Sequence, residues 1–289
     1  MRSSAGLLAP LLISATLAGC GQAGTPDSAS LPIRPPMREH AAAAFLSADC
    51  GDYSKTFDAS FKKTKSLAAV MTALTQQLAA YQLSFRTDPA SSGSDISWNA
   101  LEASDLLVAQ KAAAMFTDAW KRESTAWIRS TQLQTVVFAK NITVSGEQRS
   151  AMPDAAHHTV YYDPTMLGSC ESDDEEIMHH EFYHLAESTL FGDYYYQDPT
   201  WLSYNPAGFT YVGAGSAAYT DPNYNAAEHP EPGFVDDYAT YAIEEDMAET
   251  YGYLQTPDFA KRALGWAKTD KILGEKIAYL QSIIARFSK

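Results

Sequence analysis

Apolar residues recur at helical spacing between Ser66 and Gln82, where Leu67, Val70, Met71, Leu74, Leu78 and Tyr81 share a face. A longer helix is expected from Trp98 to Lys121. Both stripes read as core-facing scaffold. The pattern changes at Ser130: Leu133 to Ala139 and Thr159 to Tyr162 are rich in β-branched and aromatic residues, separated by polar, turn-prone sequence, which predicts a small sheet. Ser172-Asp173-Asp174 offers an N-cap cluster before a helix over Glu175 to Thr189, with acidic groups at the positive end of its dipole. Residues 191–236 are rich in Tyr, Pro, Gly and Asn, show no period, and are long enough to form a binding surface. Helices resume at Ile243 to Leu254, and one or two more fill Pro257 to Phe287. There is no internal repeat. The expected fold class is α+β: N-terminal helices, a small mixed sheet, a central helix and a C-terminal helical part, with a cleft between the two halves.

The first twenty residues differ in kind. Arg2 supplies positive charge, Leu7 to Leu17 form an apolar core, and Leu17-Ala18-Gly19-Cys20 follows, the anatomy of an export signal rather than of a retained membrane span. That tetrapeptide resembles the lipobox of bacterial lipoproteins. The resemblance implies cleavage before Cys20, acylation of Cys20 and residence in the bacterial cell envelope. With Gly21 rather than Asp after the cysteine, the analogy favours the outer membrane. Pro26, Pro32, Pro35 and Pro36 among small and polar residues read as a tether. The expected organisation is a signal peptide over 1–19, a lipidated tether over 20–38 and one folded domain over 39–289. No later stretch is long and apolar enough to span a bilayer.

Composition narrows the partners. The 289 residues are 46% hydrophobic, enough for a substantial core. Thirty-five acidic residues against 21 Lys and Arg give a formal charge of -14, which argues against nucleic acid as a partner and reads as a solvated acidic surface. With Cys20 set aside, Cys50 and Cys170 remain, an even pair in an exported chain, so a disulfide is expected, with two buried thiols as the alternative. Asn141-Ile142-Thr143 matches a glycosylation sequon by chance.

His180-Glu181-Phe182-Tyr183-His184 is an H-E-x-x-H motif. On a helix its histidines lie one turn apart on one face and can bind a single Zn2+, with Glu181 beside the ion as a proton acceptor for water attacking a peptide carbonyl. Catalytic zinc takes three protein ligands. The metzincin extension would need Gly and His where this chain has Glu187 and Leu190, so the third ligand lies elsewhere. About sixty residues downstream, the acidic run Glu244-Glu245-Asp246-Met247-Ala248-Glu249 falls in a predicted helix and offers Glu244, Glu245 or Asp246.

Here the chain resembles the gluzincin peptidases that include the anthrax lethal-factor catalytic domain, the secreted proline-proline endopeptidases and bacterial lipoproteins named as zinc-binding metallopeptidases. In these families an E-x-x-A-E helix gives the third ligand through its first Glu, which aligns with Glu245, and a tyrosine seven residues earlier lies near the metal, which aligns with Tyr238. Trp201 to Pro206, Phe209, Tyr211 and Gly233-Phe234-Val235 also look like the lipoprotein pattern. The resemblance spans Thr159 to Tyr253. It implies a zincin-like metallopeptidase domain in which His180, His184 and Glu245 hold zinc, Glu181 is the base, and Tyr238 donates to the oxyanion. Its partners would be peptide or protein substrates. Glu249, one turn beyond Glu245, is placed to accept a hydrogen bond from a ligand imidazole.

Other conspicuous residues carry less. His179 projects from a different helix face and reads as a surface or supporting residue. Glu187 shares the face of His184 and suits packing or a polar contact. His157, His158 and His229 have no ligand spacing, and Tyr194 to Tyr196 suit either a cleft wall or a structural cluster.

Overall fold

The computed structural model describes residues 59–88, 96–166 and 170–289. The expected signal peptide, tether, lipid-bearing Cys20 and Cys50 lie outside the described residues. Cys170 is disulfide-bonded.

Helices α1 (Ala59–Lys62) and α2 (Leu67–Gln77) open the described chain. Ser66 caps α2 by accepting the Ala69 N–H, and Val70, Met71 and Leu74 form its buried face. The helix expected from Trp98 is corrected. Ile96–Ala100 is a strand, β2, and α3 runs only over Leu106–Lys121. Ile96 and Trp98 alternate with polar Ser97 and Asn99, a period of two, and a reciprocal Glu102–Asp105 capping box then starts the helical path.

The remaining strands are β1 (Ser84–Arg86), β3 (Thr135–Val144), β4 (Glu147–Gln148), β5 (Ala151–Asp154) and β6 (Thr159–Tyr162). The sheet order is β1-β3-β6-β5; β1, β3 and β6 are parallel, and β5 runs antiparallel along the edge of β6. Beyond Phe138, β3 leaves this sheet and pairs antiparallel with β2 and β4. Ser145 and Gly146, both at positive φ (50° and 85°), join β3 to β4 in the tight turn that matches strand twist. The sheet is therefore small and mixed.

Helices α4 (Thr125–Ser130), α5 (Glu171–Phe191), α6 (Pro199–Tyr204), α7 (Ile243–Gln255), α8 (Pro257–Trp266) and α9 (Lys271–Phe287) complete the fold. α5 begins four residues earlier than expected, so Ser172-Asp173-Asp174 lies inside its first turn and Cys170 takes the N-cap position without a side-chain cap. The dipole argument survives, since Glu171, Asp173 and Asp174 are first-turn acids. α5 ends at Gly192, whose left-handed φ of 80° reverses the chain.

α5 packs against α3 and strands β5 and β6, and also against α7. Phe182 meets the rings of Trp120 and Trp127 at 5.1 and 6.2 Å. Burying such a ring contributes roughly 1.5–3 kcal/mol. The Trp127 Nε1–H donates to the Tyr251 hydroxyl (2.9 Å), which donates to Glu123 (2.5 Å), so a polar chain inside the core ties α4 to α7. No described helix is long and apolar enough to cross a membrane.

Candidate metal centre

α5 supplies the H-E-x-x-H residues, and their helical spacing places both imidazoles on one side. His180 Nε2 and His184 Nε2 lie 2.9 Å apart, and Glu245 Oε2 lies 3.2 Å from each. Glu245 comes from the first turn of α7, where three acids, Glu244, Glu245 and Asp246, suit the positive end of the helix dipole. Of those three, Glu245 is the one that reaches the histidines. Asp246 instead pairs with Lys276 of α9 at 2.6 Å, both fully buried, and also accepts from Trp201 Nε1 (2.8 Å) and Tyr211 (2.7 Å). That buried pair joins α9 and α6 to the residue next to Glu245, and so fixes the rotation of α7.

The other side of His180 meets carboxylates. Its Nδ1 lies 2.9 Å from Glu249 Oε1, hydrogen-bond length, although the N–H is not aligned on the oxygen. Burial pulls the His180 imidazole toward the neutral form, but Glu249 and Glu245 outweigh it and push its pKa well up. Burial raises Glu245 as well, yet His184 and His180 prevail and hold its carboxyl well below the ordinary range. Behind Glu249 sit Glu176 and Asp236, both pushed up by burial and then by Glu249. The arrangement favours positive charge between His180 and Glu245.

Two imidazole nitrogens and a carboxylate oxygen converging within 3.2 Å form the donor set that suits zinc, and the three residues are at most 7% exposed. A second group, Glu176, His180 and Glu249, also converges, but there His180 presents Nδ1 while its Nε2 faces the first group.

Glu181 is partly buried next to His180. Burial raises its pKa; His180 and His184 oppose that rise, Glu245 adds to it, and Arg149 draws it down. Tyr238, in a 3-10 turn just before α7, sets its ring 6.1 Å from that of His180. Burial, then Glu245, pushes its phenol well up, so it stays protonated.

Tyr219, Arg149 and Gly215 carried no usable sequence signal. Tyr219 is hydrogen-bonded to Tyr238 and lies under the guanidinium of Arg149, 4.7 Å from its ring centroid. Gly215 packs so tightly on Glu245 that a Cβ there would sit 2.0 Å from Oε1. Tyr194 stacks on the His184 ring at 4.7 Å; of Tyr194 to Tyr196 it is the one against a motif histidine, while Tyr196 stacks on Phe191.

His179, read as a surface or supporting residue, is the latter: it is 2% exposed, lies 3.1 Å from Glu123 and takes no part in the histidine–glutamate cluster. Glu187 is fully buried, with neither oxygen hydrogen-bonded. His157 pairs with Asp154, and His229 stacks on Trp266; neither reaches the centre.

The fold is thus mixed α+β with a small mixed sheet and a buried two-histidine, one-glutamate cluster. No protein-family model matches the chain, and no curated protein matches it. A solved structure described as a "putative zinc-binding metallo-peptidase" from Bacteroides caccae aligns over 80% of this chain and 95% of its own, at 17% identity and a TM-score of 0.42, a likeness too distant to establish kinship.

Proposed function

We propose that this chain is a zinc-dependent endopeptidase of the gluzincin type, with a zincin-like fold, anchored in a bacterial envelope through Cys20. The observation that carries the reading is the convergence of His180 Nε2, His184 Nε2 and Glu245 Oε2, with Glu181 next in sequence to the first of them. These three residues would hold zinc. In such a site zinc supplies a Lewis acid that polarises a carbonyl and makes water acidic at neutral pH.

The chain's own groups do the rest. Glu181 takes the proton from the attacking water and returns it to the leaving amine, a role suited to a partly buried carboxylate raised by burial. Tyr238, protonated, donates to the carbonyl oxygen as negative charge develops there. Glu249 orients His180 through Nδ1, with Glu176 and Asp236 behind it, both carboxyls pushed up by burial.

The near-complete burial of the three ligands favours a second reading, a non-catalytic lipoprotein that holds zinc or a peptide. A zinc amidase acting on cell-wall material shares the same chemistry. The test uses soluble protein beginning after Cys20. Wild type and Glu181→Gln should each hold one zinc, Glu245→Ala should lose affinity, and only wild type should cleave a peptide library. Tyr238→Phe should retain zinc and lose about 10²–10³ in kcat. A wild type that binds no zinc sinks the proposal. Zinc without peptide cleavage moves the binding reading ahead, and turnover of a peptidoglycan preparation alone moves the amidase ahead.

A further inference from the structure

Arg149 is a cation beside an otherwise acidic centre. It follows β4 directly and precedes β5, and its backbone N–H donates to Ile142 O at 2.8 Å, which fixes it to β3. Its guanidinium lies over Tyr219, and Tyr219 is bonded to Tyr238, which faces His180. Its charge acts on both Glu181 and Tyr238.

The partner of Arg149 is Glu147, at 2.6 Å, on the exposed hairpin end; the Arg149 side chain is 22% exposed and that of Glu147 54%. So exposed a pair contributes little to stability. A guanidinium has five donors in a planar fork, and stacking on Tyr219 holds that fork in place before any ligand arrives. A carboxylate arriving from solvent can replace Glu147 at small cost. Glu181, Glu245 and Glu249 put carboxylates around the centre, and Arg149 is a guanidinium set among their charges.

We propose that Arg149 is a specificity-determining residue that binds a carboxylate of the peptide substrate close to the scissile bond. The inference rests on the peptidase reading and names its substrate class. The carboxylate can belong to an acidic side chain or to the free C-terminus of a short peptide.

The test is a peptide series differing only in Glu or Gln at residues flanking the cut, each with a free or amidated C-terminus. Wild type should favour the carboxylate over its amide by about tenfold to a hundredfold in kcat/KM, the range of a charge-assisted hydrogen bond. In Arg149→Met that ratio should fall to about one. Arg149→Lys, which keeps the charge without the fork, should retain part of it. Glu147→Gln should preserve or raise it. A ratio that follows amidation of the C-terminus assigns the carboxylate to the chain end; one that follows Glu against Gln assigns it to a side chain. An Arg149→Met ratio equal to wild type, or no wild-type preference for either carboxylate, overturns the proposal. If wild type cleaves nothing, the peptidase reading fails separately, and calorimetric binding of the same peptides to zinc-loaded Glu181→Gln, with and without Arg149→Met, still decides the role of Arg149.

Discussion

Glu187 offers a sharp test of how the centre manages its acids. It lies one turn past His184, fully buried, with both oxygens unbonded. Burial, then Glu244, Glu245 and Asp198, pushes its carboxyl up to about 10 from an ordinary 4.5. The folded protein therefore keeps Glu187 protonated at neutral pH, whereas the unfolded chain releases that proton above pH 4.5. The contribution to stability is fully present below that value and lost as pH rises toward 10. At pH 7 the gap of about 2.5 pH units amounts to about 3 kcal/mol of stability forgone. Glu187→Gln keeps the shape of the neutral acid and cannot ionise in the unfolded chain. It should be more stable than wild type by about 3 kcal/mol near pH 7, with the gain vanishing near pH 4.5. Urea unfolding of the zinc-free protein across that range, followed by tryptophan fluorescence, measures it. The zinc-free form is chosen because an ion at Glu245 would offset that neighbour's charge. A difference that does not vary with pH refutes the reasoning, for it would mean that the substitution acts through packing or amide burial and not through ionisation.

Two further substitutions probe the support of Glu245. Gly215→Ala would force a methyl to within 2.0 Å of Glu245 Oε1, so the carboxylate must turn away; zinc affinity should drop at least tenfold in a chelator competition while the fold persists. Lys276→Met would strand Asp246 as a buried charge and should cost about 3–5 kcal/mol in urea unfolding, with much of the loss recovered when Asp246→Asn is added.

The two histidines and the glutamate between them were legible because one helical turn is a local rule that needs no knowledge of the rest of the fold. From the residues alone Glu245 was one of an acidic run, and the resemblance to the E-x-x-A-E helix singled it out. Which acid of 244–246 turns toward the histidines depends on the rotation of α7, and that is set by Lys276 and Trp201, thirty residues later and forty-five earlier than Asp246. Arg149, Tyr219 and Gly215 could not be found at all, since each reaches the centre from a loop or turn whose path depends on tertiary packing. The misreading of 98–121 has a local cause: a five-residue strand was absorbed into the helical stripe that follows it. For His179 the face argument separated it from the cluster but left surface and supporting roles open, because burial of α5 on nearly all sides is a tertiary fact.

Charge explains why these parts belong together. Glu176, Glu187, Glu244, Glu245, Asp246 and Glu249 are buried on two helices packed side by side, more negative charge than a protein interior tolerates unpaired. Asp246 is matched by Lys276, though burial still raises the acid and lowers the amine. Glu187 is driven to the neutral form, and burial pushes Glu176 in the same direction. Glu245 and Glu249 lie against His180, and their charges favour a proton on its ring. A divalent cation held by His180, His184 and Glu245 relieves the same excess without that proton. Binding should therefore release protons near neutral pH and stabilise the fold by RT ln(1 + [Zn]/Kd), so that affinity for the ion and resistance to unfolding rise together. On this account the buried acids are tolerated because the site is built for a cation, and removing the cation should weaken the α5–α7 contact before the distant core around Trp120.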